Sequence, residues 1–225
     1  MAITNYNPPK SPYINIVYQD DDIVVLNKPS ELLSVPGKAL EHKDSLENRV
    51  KSVYPTAVIV HRLDMATSGI IVMALNKAAQ RDINQQFANR QTEKSYIAKV
   101  YGRVEQDSGT IDLPLICDWP NRPKQMVCYE NGKPAKTHYQ VIKRYTQKNS
   151  ERDTYTKVLL IPVTGRSHQL RVHMLSLGHP ILGDRLYANE HALSMATRLQ
   201  LHAETLVLTH PTSKDKVTFH SPCPF

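Results

Sequence analysis

An arginine and an aspartate two residues apart, set in a polar stretch between two apolar runs, are the first candidates for chemistry in this chain. The stretch is His61-Arg-Leu-Asp-Met-Ala-Thr-Ser-Gly69, and the runs are 57–60 and 70–75. Ordinary loops turn on Gly, Asn, Pro and Ser, whereas this one carries His61, Arg62, Asp64, Thr67 and Ser68 ahead of Gly69. If the segment is extended, positions i and i+2 face one side. Arg62 and Asp64 then either address one pocket or form a pair that pins a loop. A second constellation is Val163-Thr-Gly-Arg-Ser-His-Gln-Leu-Arg-Val-His173. Its pattern predicts a helix from Ser167 capped by Thr164 or Ser167, with Arg166 at its very start. A cation there opposes the helix macrodipole by roughly 0.3–1 kcal/mol, which points to a nearby anion, either a carboxylate or a phosphate. Lys94 and Tyr96 form a third point, a base beside an aromatic on a predicted strand.

Familiar chemistries are excluded by what these segments lack. There is no GxxxxGK[ST] and no GxGxxG after a strand, so no phosphate-cradling glycine loop is expected. His61-Arg-Leu-Asp64 is not the His-Arg-Asp of a kinase loop, and no Asp-Phe-Gly follows. No GxSxG or HExxH occurs, and no carboxylates cluster beside Asp64 as a two-metal nuclease needs. Cys117, Cys128 and Cys223 form no CxxC pair and leave an odd thiol, so neither a disulfide framework nor a structural zinc site is expected. His168 and His173 are five apart, not the four that put two ligands on one helical face. No metal is expected.

The elements that must position these residues read as follows. Residues 1–13 are polar with three prolines, an extended arm, and 14–225 is expected to be a single domain. Ile14–Tyr18 and Ile23–Leu26 are strands around Asp20-Asp21-Asp22, followed by loop chemistry at Asn27-Lys-Pro-Ser30. Asp44 or Ser45 caps a helix over Leu46–Val53, and Ala79, Ile83 and Phe87 mark another over Lys77–Asn89. Lys94–Tyr101 is a strand, residues 112–125 a proline-rich surface excursion, and Lys136–Tyr145 and Thr154–Val163 long strands. Gly178 sits where a helix ends in the left-handed conformation, and a last helix spans about Glu190–Arg198. Leu199–Ala203, Leu206–His210 and Lys216–His220 are closing strands. Strands outnumber helices without regular alternation, which predicts an α+β fold with a mixed, largely antiparallel sheet.

The formal net charge is +7 and the pI about 9.2, with Lys and Arg spread along the chain. A basic face on a folded body, and an anionic partner, follow from that. No apolar run of 18 residues and no signal-peptide pattern is present, so a soluble protein of a reducing compartment is expected.

Taken together, the motifs resemble a known family. His61–Gly69, Lys94-Ser-Tyr96 with Gly102, Gly165-Arg-Ser-His-Gln-Leu-Arg-Val-His173, Gly178-His-Pro-Ile-Leu-Gly-Asp184 and Leu199-Gln-Leu-His-Ala203 are similar, in order, to the signatures of the RluA-type pseudouridine synthases. The likeness covers nearly the whole chain. Asp112–Gln125 resembles the dual-specificity branch, which acts on large-subunit rRNA and tRNA. The resemblance implies the pseudouridine synthase catalytic fold with flanking helices and loops. It makes Asp64 the catalytic aspartate, Tyr96 the tyrosine packed on the target base and Arg166 the basic residue paired with Asp64. Leu201 then lines the pocket, and Arg62 engages RNA beside the flipped nucleotide. His61, Thr67, Lys94, His168 and Arg171 fall within the same motifs as substrate-binding positions. It implies no cofactor, an RNA partner (tRNA and large-subunit rRNA) without DNA or membrane, a monomer, and a cytoplasmic location. No S4-like RNA-binding domain precedes the catalytic region, a departure from many relatives. The competing expectation is a non-catalytic RNA-binding or chaperone protein on the same fold. A glycosidase is further off, because no second carboxylate completes the acid–base pair.

Overall fold

The computed structural model describes residues 6–147 and 150–225, so residues 1–5 of the expected arm lie outside the described residues. In chain order the elements are β1 (Ile16–Gln19), β2 (Ile23–Lys28), α1 (Leu46–Lys51), β3 (Val58–Ile59), β4 (Ser68–Ala74), α2 (Lys77–Ala88), β5 (Glu93–Tyr101) and β6 (Ser108–Asp112). They continue with β7 (Leu115–Cys117), β8 (Gln125–Val127), β9 (Lys136–Gln147), β10 (Ser150–Pro162), α3 (Gln169–Ser176), α4 (Glu190–Ser194), β11 (Leu201–Thr209) and β12 (Lys216–His220). The fold is α+β. No helix among the described residues is long and apolar enough to cross a membrane. The chain divides into two compact units, one of residues 6–94 and 202–224, the other of 95–201 with Phe225.

In the first unit β4 is the central strand. Its sequence Ser-Gly-Ile-Ile-Val-Met-Ala is buried throughout, the near-continuous apolar run of a strand covered on both faces. β2 runs antiparallel to it with Lys28 opposite Gly69, and β11 runs parallel with His202 opposite Ser68. β1 and β12 add antiparallel edges on β2 and β11. Ile23, Val25, Ile70, Val72, Leu206, Leu208 and Phe219 form the core with Ile83 of α2. α2 starts where Asn76 accepts the Ala79 N–H at 2.9 Å, a side-chain cap. It is tied to β11 by Gln86, whose amide donates to Thr209 O and accepts from Thr209 N. Residues 6–13 lie along this unit. The Tyr6 hydroxyl donates to Asp44 O, and Arg49, 1% exposed, grips the Asp44 carboxylate while donating to Pro9 O.

The second unit is antiparallel. β10 lies between β5 and β9, β6 pairs with β9, and β7 and β8 make a separate hairpin. Leu115, Ala135 and Val172 form a buried cluster, with Val127 and Tyr187 packed on it.

Several expected boundaries move. The 57–60 run yields only the two residues of β3, and the 70–75 run starts earlier, at Ser68. The strands at 199–203 and 206–210 are one strand, β11. The 112–125 excursion contains β7 and part of β8, and β6 was not expected. The last helix stops at Ser194, short of Arg198. α3 begins at Gln169 with left-handed His168 at its cap, so Arg166 stands outside it and opposes no macrodipole. Gly178 does close α3 at φ +87°.

Gly69 is a position only glycine fits. Its φ is +119°, and an added Cβ would stand 2.1 Å from Ala203 O. Gly69→Ala is therefore expected to destabilise the protein by more than about 3 kcal/mol, clash and strain together. Denaturant unfolding measures it, and a loss under about 1 kcal/mol would mean that β4 and β11 separate freely.

Candidate active site

The polar segment of the first unit is fixed from below by residues that follow the apolar run of β2. Lys28 is completely buried, and its ammonium donates to Pro29 O (2.9 Å), Leu32 O (2.7 Å) and Met65 O (3.0 Å). Ser30 donates to Ala66 O at 2.6 Å, while Ser34 donates to Leu63 O at 2.7 Å and accepts from Leu63 N at 3.2 Å. Backbone on both sides of Asp64 is thus held, and the Thr67 N–H closes a turn on Asp64 O at 3.1 Å. Asp64 is half-buried, Thr67 buried and Arg62 exposed. The turn itself lies at Met65 and Ala66, while Arg62 to Asp64 belong to no helix or strand. Below it, His202 donates from Nε2 to Ser221 O. Its Nδ1 is then the acceptor for the Ser68 hydroxyl at 2.9 Å.

His61 stacks on Phe87 with centroids 4.6 Å apart, and its Nε2 accepts the Val72 N–H at 3.1 Å. Lys94 stands 5.7 Å from the same Phe87 ring. Burial, with Lys94 adding, pushes the imidazole down to about 3, which suits a ring whose Nε2 is an acceptor. Burial also lowers the Lys94 ammonium. Both residues act here as packing beneath the segment.

In the second unit Tyr96 lies on β5 opposite Leu160 of β10, and Leu201 is buried at the start of β11. Arg166 is exposed in the turn between β10 and α3, its Nε donating to Pro134 O at 3.2 Å. That turn is organised by buried Gln169. Its Oε1 accepts the Thr164 hydroxyl and the Arg166 N–H, and its Nε2 donates to Lys136 O and Thr137 Oγ1. His168 bonds through Nδ1 to the Tyr187 hydroxyl at 2.7 Å. That hydroxyl also accepts from Gln125 N at 2.7 Å. Arg171 is 4% exposed and clasps Asp184 with two bonds of 2.8 and 2.7 Å, its guanidinium 5.0 Å from the Tyr187 ring. A fork so enclosed ties α3 to the loop after it.

The first unit therefore assembles His61, Arg62, Asp64, Thr67 and Lys94. The second assembles Tyr96, Arg166, His168, Arg171 and Leu201. Lys28, Ser30, Ser34, Gln169 and Tyr187 were missed as organisers. The one signal for Lys28 was a charge closing the apolar run Ile23–Leu26.

Among the described residues, Asp20, Asp22 and His210 form the cluster with metal-ligand spacing. His210 Nδ1 accepts the N–H groups of Thr212 and Ser213, so its Nε2 carries the proton that it donates to Asp20 at 2.8 Å. Asp20 also accepts from Asp22 N and Ile23 N, and Asp22 from Asn76. Both carboxylate oxygens of Asp20 are spent on donors, as in a loop clasp.

Residues 22–176 match the family described as RNA pseudouridylate synthase, and the chain belongs to that family, whose members isomerise uridine to pseudouridine in RNA. It is 58% identical over 225 residues to the dual-specificity RNA pseudouridine synthase RluA of Escherichia coli K12, covering all of both chains. It is 62% identical over 196 residues to the protein of that name from Yersinia pestis, covering 87% of this chain and 92% of that one. Among solved structures, human RNA pseudouridylate synthase domain containing 1 superposes with a TM-score of 0.80 at 31% identity, covering 97% of this chain and 87% of that one. Human RNA pseudouridylate synthase domain containing 4 gives 0.72 at 27%, covering 93% and 88%.

The depressed His61 gives a pH signature with a definite sign. Between an unfolded value of 6.5 and the folded value of about 3, the unfolded chain binds a proton that the folded one refuses. Lowering the pH through that window removes stability, by up to about 1.4 kcal/mol per pH unit. His61→Gln is expected to flatten this slope in chemical denaturation at pH 4.5–7. Parallel slopes for the two proteins would place the titration elsewhere.

Proposed function

We propose that this chain isomerises uridines in two RNAs, a tRNA anticodon stem-loop and a hairpin of large-subunit rRNA, in the cytoplasm, with Asp64 as the essential carboxylate. The observation that carries this reading is the full-length 58% identity to a relative named for dual specificity. The anchoring of backbone on both sides of Asp64 supports the role given to that residue. The two units work as one catalytic domain.

The reaction breaks the N1–C1′ bond, turns the uracil and rejoins it through C5. The C5 proton leaves and N1 takes one up, so nothing is oxidised and no group is added. A stacked uridine must first be extruded, which costs a few kcal/mol. Stacking on Tyr96 returns about 1–3 kcal/mol. Asp64 acts at the sugar or base, as nucleophile or as proton acceptor. By the family likeness Arg166 is the basic partner of Asp64, and Leu201 lines the apolar side of the pocket. Arg62, exposed within the segment, engages RNA beside the flipped nucleotide, and Thr67 and His168 shape the turns that receive it. Arg171, enclosed on Asp184, acts through the fold, as do His61 and Lys94.

Sequence-specific RNA recognition favours loops whose bases can be splayed out, so a short hairpin should carry nearly all of the sequence information. In single-turnover assays, isolated anticodon and rRNA hairpins are expected to react within about tenfold of their parent RNAs. Hairpins slower by orders of magnitude would place recognition outside the loop. Asp64→Asn, nearly isosteric, should keep RNA affinity within a few-fold while product formation falls by at least about a hundredfold. Retained turnover removes Asp64 from the chemistry, and a wild-type chain that binds both hairpins without product would be an RNA-binding protein only.

A further inference from the structure

One face of the second unit's sheet carries an ordered array of cations, Lys143 exposed and Lys99 and Lys157 half-buried, that the site described above does not use. β5, β10 and β9 lie side by side, and their register sets Tyr101, Tyr155 and Tyr145 abreast, and Lys99, Lys157 and Lys143 abreast two residues further on. Side chains alternate across a strand, so both rows share one face. The opposite face holds Ala98, Val100, Thr156 and Val158, all buried, and Tyr96 has their parity. The lysine row is therefore on the reverse of the strand that carries Tyr96.

The rings on this face hold the cations in place. Tyr145 and Tyr155 stack with centroids 4.6 Å apart and 13° between planes. The Lys143 ammonium stands 5.1 Å from the Tyr145 ring, and that of Lys99 5.3 Å from the Tyr155 ring. Lys99 also lies 5.7 Å from Phe225, which has Arg198 at 5.2 Å. The result is a ladder of Arg198, Phe225, Lys99, Tyr155, Tyr145 and Lys143, with Lys157 donating to Phe225 O at 3.0 Å. Among the described residues neither Lys99 nor Lys143 has a side-chain carboxylate within ion-pair distance. Like charges directly opposite on neighbouring strands are destabilising, and ring quadrupoles answer that repulsion only in part. Beside Lys99 and Tyr155 opens a hollow of about 340 Å³, lined also by His191, Met195 and Gln200, within the size range of small-ligand pockets.

We propose that this face binds the phosphodiester backbone of the substrate RNA outside the modified loop, at Lys99, Lys143 and Lys157. The proposal rests on the chain acting on RNA. The occupant follows from charge: the ring-held ammonium groups of Lys99 and Lys143, with Lys157 tied to Phe225 O between them, on a chain of net charge +7, suit a row of phosphates. With ring faces already covered by cations, the surface reads no bases. It adds sequence-independent affinity, as phosphate contacts do.

The test compares a full-length tRNA transcript with its isolated anticodon stem-loop, as binding against salt and as single-turnover rate. For Lys143→Gln/Lys157→Gln the log–log salt slope on full-length tRNA should become shallower by about 1.4–1.8, that is 0.7–0.9 for each phosphate released. Affinity for it should drop by an order of magnitude or more near 0.1 M salt. Slope and rate on the stem-loop should stay at wild-type values, and Lys143→Arg/Lys157→Arg should restore the full-length slope. An unchanged full-length slope overturns the proposal, and so does an equal loss on the stem-loop. If wild-type protein forms no pseudouridine in either RNA, the functional reading fails, while the binding slopes still decide this surface.

Discussion

A buried ammonium group anchors the rest of the first unit's site. Lys28 ends β2 opposite Gly69, with no surface exposed to water. Taking a cation out of water carries a penalty of several kcal/mol after relaxation. Three backbone carbonyls offset it through charge-assisted bonds, each about 1.5–3 kcal/mol. One of them, Met65 O, is the carbonyl next to Asp64. The stability of the β2 end and the placement of the aspartate turn are thus one set of bonds. A substitution that removes this ammonium leaves carbonyls unpaired on both sides of the loop. Gly69 supplies the other boundary, since β4 approaches Ala203 closer than any side chain would permit.

The second unit solves the same problem with neutral groups. The turn bearing Arg166 has few apolar contacts of its own and is positioned by polar bookkeeping around Gln169, in which both ends of one amide find two partners. Such a satisfied network is rigid, because any single displacement leaves a buried polar atom unpaired. His168 sits in the left-handed region at φ 53°, a conformation that costs of order 1–3 kcal/mol. The Tyr187 hydroxyl, itself fixed by Gln125 N, holds it there. Arg166 is then an exposed cation on a stiff mount, the form in which a guanidinium fork keeps its geometry for a carboxylate.

Legibility in the sequence followed the range of the interaction. α2 was readable because its signals are local: the cap Asn76 and the buried step from Ala79 to Ile83. The same holds for Ser45 before α1 and Gly178 after α3. The start of α3 was misplaced because Thr164, which has a cap's chemistry, is engaged with Lys136 N and Gln169 instead. β6 to β8 went unseen or were blurred because their pairing partners are supplied by distant chain. The aspartate turn was visible as polar residues between apolar runs, and its roles came from likeness to a family. Its foundation was not visible, since a lysine in sequence reads as solvated and nothing local says that Leu32 and Met65 will offer it carbonyls. The enclosure of Arg171 was not visible for the same reason. It shares a motif with Arg166, yet Asp184, thirteen residues on, encloses it.

The excess positive charge also divides by environment, and that division decides what the charge can do. Lys28, Arg49 and Arg171 are buried on carbonyls or carboxylates, where their fields are answered within a few ångströms. They hold the fold and contribute little to the potential that an approaching RNA meets. Lys99 and Lys143 are answered by rings, which carry no net charge. Their field therefore projects outward, limited by salt to about 8–10 Å at physiological ionic strength. A net charge of +7 is by itself a poor guide to RNA binding. The informative quantity is the share of that charge compensated only by neutral groups, and in the second unit that share is gathered on the reverse of the strand that presents Tyr96.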